Sequence, residues 1–138
     1  MQVLLMGSSN FAIDIIKFLS TTEHIVSYIT TDNRIDENLH SLVDSVIHAS
    51  PEDSLMEDLR RSNIDSADTF IALSDDDNSN AMAAQIAKHI FRVPRVLCLV
   101  NNLNRKDTYT NLGLTVACPN DIATVSYTHL TLPTNREV

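Results

Sequence analysis

The sequence predicts an α/β protein: a doubly wound parallel sheet of six strands, ordered 3-2-1-4-5-6, with helices on both faces. Three observations predict it. Short apolar runs alternate with helix-periodic segments along the chain, the pattern that feeds parallel strands through right-handed crossovers. The runs from Thr69 to Leu73 and from Val96 to Val100 are continuously apolar, as in strands covered on both faces. No repeat of solenoid period interrupts the alternation.

In order, Val3-Leu4-Leu5-Met6 is the first strand and Gly7 ends it. The stretch from Asn10 to Ser20 carries Phe11, Ile15, Ile16 and Leu19 at helical spacing. Ile25 to Ile29 is β-branched and aromatic, a second strand. Asp32 to Leu42 is short and polar with room for a brief helix, and Val43 to Ala49 is a weaker third strand. Pro51 is expected at the start of a helix that continues through Leu55, Met56 and Leu59.

After the fourth strand, Ser74 with Asp77 three residues on predicts a capping-box-like helix start. That helix, about 77 to 91, is rich in alanine and carries Met82, Ile86 and Ile90 in a stripe expected to pack against sheet and neighbours. A polar helix from Asn104 to Leu112 ends at Gly113, a C-cap. Leu114 to Cys118 is the last strand and Asp121 to Ser126 opens a last helix. From Tyr127 neither period is present, and Pro133 would end a helix. Residues 1–126 are therefore assigned to one domain, and 127–138 to an irregular tail, a linker or a non-native addition.

The 138 residues suit one domain of ordinary size. No window holds the roughly 18 consecutive apolar residues a membrane span needs, and no leader-like start precedes the first strand. Any membrane role is then expected to come through a partner. A net charge of -8 argues against nucleic acid, whose phosphates need a basic face. Cys98 and Cys118 lie in apolar runs and are expected as buried free thiols of a cytosolic protein. The five histidines are scattered, without the clustering a metal site requires.

A dinucleotide site needs a strand, a tight turn and a helix whose first amides face the pyrophosphate. Here Gly7-Ser8-Ser9-Asn10-Phe11-Ala12 occupies that place in the glycine pattern of Rossmann-like folds. Gly7 meets the first requirement and Ala12 substitutes at the third position. Ser9 adds a Cβ where the backbone should approach phosphate most closely; its hydroxyl could donate to phosphate, or its bulk could weaken binding. A carboxylate is expected at the end of the second strand for the ribose. Thr30 holds that position, followed by Thr31 and Asp32; Asp32 either reaches the ribose or caps the next turn.

With these residues in place, the order of segments resembles the N-terminal RCK domain, also called KTN or TrkA-N, of potassium-transport regulators. The resemblance covers about residues 1–126. It is carried by the stretch from Ile64 through Thr69-Phe70-Ile71-Ala72-Leu73-Ser74-Asp75-Asp76-Asp77 to Asn80, by Ala87-Lys88 and Val93-Pro94-Arg95-Val96, and by Leu112-Gly113-Leu114 and Cys118-Pro119. It implies a cytoplasmic regulatory subunit or domain, assembled as a dimer or ring beneath a membrane potassium channel or transporter. It also implies an adenine nucleotide, NAD(H) or ATP/ADP, at the first strand-helix turn. The family often has Gly-Asp-Ala after the third strand, near the adenine; this chain has Ile47-His48-Ala49-Ser50. His48 could stack near or hydrogen-bond an adenine, or lie at a strand end in solvent. Ser74 would face phosphate across the strand-order reversal, or serve as a helix N-cap.

The run Asp75-Asp76-Asp77 could hold a divalent cation, but acids at a helix start also complement its dipole. No G-x-S-x-G elbow, helix-borne His pair or P-loop is present, and no room remains for a second substrate region. The expectation is a sensor, not an enzyme. The alternatives are an NAD(P)-binding fragment of an oxidoreductase and an assembly module with a degenerate, empty site. Ile122 and Val125 of the last helix would suit dimerisation.

Overall fold

The computed structural model describes residues 1–7, 10–30, 37–49 and 54–118. Six strands form one sheet: β1 Gln2–Met6, β2 Ile25–Thr30, β3 Ser45–His48, β4 Thr69–Ala72, β5 Arg95–Leu99 and β6 Thr115–Ala117. Their order is β3-β2-β1-β4-β5-β6, and all five pairings are parallel. The helices are α1 Asn10–Ser20, α2 Glu37–Leu42, α3 Leu55–Arg61, α4 Asp77–Gln85 and α5 Lys106–Asn111. The expected last helix and the tail lie outside the described residues, as do Ile122 and Val125.

Alternation along β1 sorts the core into two layers. Val3 and Leu5 point to the side covered by α1, where Ala12, Ile15, Ile16 and Leu19 are buried. Leu4 points to the other side, with Phe70, Leu59 of α3 and the α4 alanines Ala81, Ala83 and Ala84. Each large aliphatic side chain fully buried there contributes about 2 kcal/mol. The end of α1 is closed by hydroxyls: Ser20, Thr21 and Thr22 donate to the carbonyls of Lys17, Phe18 and Leu19.

Three sequence expectations are corrected. The helix after Pro51 begins at Leu55, with extended Ser54 as N-cap accepting from the Glu57 N–H at 3.3 Å. Pro51 itself lies outside the described residues. The next helix is capped by Asp76, not Ser74, because Asp76 is extended and its carboxylate accepts from the Asn78 N–H at 3.0 Å. Two of the three stripe residues face outward: Met82 and Ile90 are each 53% exposed, while Ile86 is half-buried against the core and Asn80, Ala81, Ala83, Ala84 and Ala87 are buried. Small side chains bring the helix close to the sheet, and large ones would hold it away. From Ile86 to Ile90 the helix widens into a π turn, closed by Phe91 N–H to Ile86 O at 3.2 Å, before Arg92 turns left-handed.

Candidate functional site

Parallel strands place all their C-terminal ends on one edge, and the chain reverses its winding between β1 and β4. Gly7 sits at that reversal. Its N–H donates to Ile29 O at 3.0 Å, and its φ of +135° is open to glycine but strained for other residues. A Cβ there would lie 2.5 Å from Ser74 N and 2.6 Å from Leu73 C. The glycine is thus required by the abutting β4–α4 turn, whatever ligand approaches from outside.

That neighbouring turn is held by Asn80, which is fully buried. Its Oδ1 accepts from Ser74 N at 2.9 Å and Ser74 Oγ at 2.7 Å, while Nδ2 donates to Ser74 O at 2.8 Å and Leu99 O at 3.1 Å. One side chain therefore ties the end of β4 to the end of β5. Ser74 abuts Gly7 at the reversal, and its hydroxyl donates to Asn80 Oδ1 and, at 3.2 Å, to Asp76 O.

A second clasp lies beside it. Asp77, 7% exposed, accepts from Asn101 N at 2.7 Å, Asn101 Nδ2 at 3.0 Å and Asn102 N at 2.9 Å. Asn78 Oδ1 accepts from Arg105 and from the Tyr109 hydroxyl, each at 3.2 Å. Within the acid run, Asp76 thus caps the helix and Asp77 clasps the segment after β5. Hydrogen bonds from Ser79 and the Asn78 N–H hold Asp76 below the usual carboxylate range. Among the described residues no group of three or more His, Cys, Asp or Glu side chains could hold a metal ion. Burial, and secondarily the charge of Asp77, pushes the Cys98 thiol up to about 12. Both cysteines are free and buried, as expected from the sequence.

On the other side of the reversal, Thr30 and His48 are register partners at the ends of β2 and β3. Thr30 is 1% exposed and its carbonyl accepts from Ala49 N at 2.9 Å, so its side chain offers no surface to a ligand in this arrangement. His48 is exposed, its carbonyl bound by Arg61 at 3.3 Å, and Ala49 is half-buried beside it. Ala12 is fully buried and packs helix against strand. Asn10 and Phe11 open α1, whose first turn carries no acid, which suits an anion at its amides. The side chains of those two, and Ser8, Ser9, Thr31 and Asp32 entirely, lie outside the described residues.

Two residues that hold this edge were not singled out from the sequence: Tyr28, whose hydroxyl donates to Gly7 O, and Asn80. Asparagine within an alanine-rich helix was the available signal, since it is a poor helix former without a reason to be there. A recess of about 170 Å³ between Lys88, Pro94, Arg95 and Thr115 lies elsewhere, beside the starts of β5 and β6.

Strand order, parallel pairing and a glycine turn at the reversal define a Rossmann-like domain. The TrkA-N domain profile matches residues 3–119, and the chain belongs to that family. Trk system potassium uptake protein TrkA of Streptomyces coelicolor is 36% identical over 70 residues, 51% of this chain and 29% of that protein. The chain thus spans under a third of that relative's length. Among solved structures, a Shewanella denitrificans Kef C-terminal domain in AMP-bound form superposes with a TM-score of 0.71 at 16% identity, covering 98% of this chain and 83% of that one. A GsuK channel bound to NAD gives 0.66 at 20% identity, covering 84% and 21%. The family is a regulatory one of potassium transport systems, not an enzyme family. No helix among the described residues is long and apolar enough to cross a membrane.

Proposed function

We propose that this chain is the nucleotide-sensing module of a potassium uptake system or channel, acting at the cytoplasmic face of the membrane. An adenine nucleotide, NAD(H), AMP or ATP/ADP, seats on the loop from Gly7 to Ala12 at the start of α1. Its binding favours one arrangement of neighbouring copies in a dimer or ring, and so biases the gate of the membrane subunit. The observation that carries this reading is the reversal itself. There β1 and β4 part to opposite halves of the sheet beside the start of α1, whose first turn carries no acid. The AMP-bound and NAD-bound states of two structural neighbours support the ligand class.

One reading competes: an assembly module with an empty site. The burial of Thr30 and the commitment of the Ser74 hydroxyl to Asn80 and Asp76 favour it, because both remove ligand contacts. Calorimetric titration with NADH, NAD, AMP, ADP and ATP decides between them, using wild type and Ser9→Gly. Micromolar binding by wild type supports the sensor. Binding by Ser9→Gly alone means Ser9 has closed a site otherwise intact. Silence from both, with no thermal shift, overturns the sensor reading.

A further inference from the structure

Tyr28 lies in β2, 4% exposed, in the apolar layer that includes Val3, Leu5, Ala12 and Ile16. Phenylalanine would fill that space equally well; what tyrosine adds is a hydroxyl, and this hydroxyl donates to the carbonyl oxygen of Gly7. Among the described residues, the other restraints on Gly7 act on different atoms. Ile29 O accepts from its N–H, and the backbone of Leu73 and Ser74 crowds its α carbon. Neither fixes the carbonyl. A glycine can turn about its own bonds at little steric cost, and the carbonyl sets the plane of the rigid peptide group that leaves it.

We propose that Tyr28 is a positioning residue for nucleotide binding: its hydroxyl holds the Gly7 carbonyl and so sets the direction in which the chain enters the 7–12 loop. This assignment rests on the nucleotide reading above. Fixing the Gly7 carbonyl before the ligand arrives removes an ordering cost from binding.

The chain has two glycines, so selective ¹⁵N-glycine labelling of the 138-residue protein yields two glycine amide signals, with Gly113 as internal reference. Wild type, Tyr28→Phe and Tyr109→Phe are titrated with NADH, NAD, AMP, ADP and ATP, after thermal melts establish that each is folded. Tyr109 is the control, because it is 7% exposed and its hydroxyl bonds Asn78 Oδ1, away from Gly7. In wild type the Gly7 signal is expected to move with nucleotide while Gly113 stays. Tyr28→Phe is expected to weaken binding about tenfold, and Tyr109→Phe to change affinity less than about twofold while lowering the melting temperature. Wild-type affinity in Tyr28→Phe overturns this assignment alone, since a merely structural hydroxyl would cost stability and not affinity. A Gly7 signal in wild type that ignores every nucleotide overturns the nucleotide reading and this assignment together.

Discussion

The two halves of the sheet hold their C-terminal ends by different means. In the half from β4 to β6, side chains hold them: Asn80 joins β4 to β5, Asp77 gathers Asn101 and Asn102, and Asn78 receives Arg105 and Tyr109. In the half from β1 to β3, among the described residues, two main-chain bonds, Gly7 N–H to Ile29 O and Ala49 N–H to Thr30 O, stand beside two side chains, Tyr28 and Arg61, that each hold one carbonyl. The departures from the nucleotide pattern, at Ser9, Thr30 and His48, all fall in this second group. Thr30 and His48 lie apart from the side-chain clasps of the other half, whereas Gly7 abuts them through Ser74.

Variants sharpen that contrast. Asn80→Ala is expected to cost the most, about 4 kcal/mol, because it strands the Ser74 and Leu99 polar groups and leaves a cavity; urea unfolding measures it. Gly7→Ala follows at about 3 kcal/mol, since the new Cβ collides with backbone that cannot yield; a drop under about 1 kcal/mol would show the two turns to be independent. Asp77→Ala should cost about 2 kcal/mol by leaving Asn101 and Asn102 amides unpaired. In the first half, Asp44 accepts from Val26 N at 2.7 Å but is exposed, and Asp44→Ala should cost under about 1 kcal/mol in the same assay. A loss at Asp77 no larger than at Asp44, which lies at the opposite edge of the sheet, would show that the Asp77 clasp adds little to stability.

The smallest effect is a pH dependence. Burial, then the positive amino terminus, lowers the pKa of His24, whose Nδ1 is buried without a hydrogen-bond partner. The folded state favours the neutral ring. Its contribution is complete above the ordinary histidine value and is lost as pH falls through that value toward the folded one. His24→Gln should flatten the fall in urea midpoint between about pH 7 and 5.

Much of the architecture was legible. Parallel strands covered on both faces cannot hide: Thr69 to Leu73 and Val96 to Val100 are apolar throughout, and each contains a strand of the observed sheet. The errors came from what a side chain touches at a distance. Ser74 matched a cap by spacing, yet its partner is Asn80, which is held in turn by a strand 19 residues further on. Met82 and Ile90 matched a core stripe by size, but alanines allow the close approach that burial requires. At the site, Gly7 was legible and its reason was not. The spacing marked it as the glycine of a tight turn, and the backbone of Ser74 that it abuts lies too far along the chain to be read from spacing. Tyr28 was counted as strand filling because a hydroxyl's target is invisible in sequence.

The position of β1 also has a consequence in time. It pairs with β2 on one side and β4 on the other, and Gln2 is clipped to Asp68, 66 residues away. During synthesis at about 5–20 residues per second, one flank of this central strand stays open for roughly 3–13 s. Through that interval Val3, Leu4 and Leu5 present an unpaired apolar edge, the kind of surface that chaperones shield and neighbouring chains can capture.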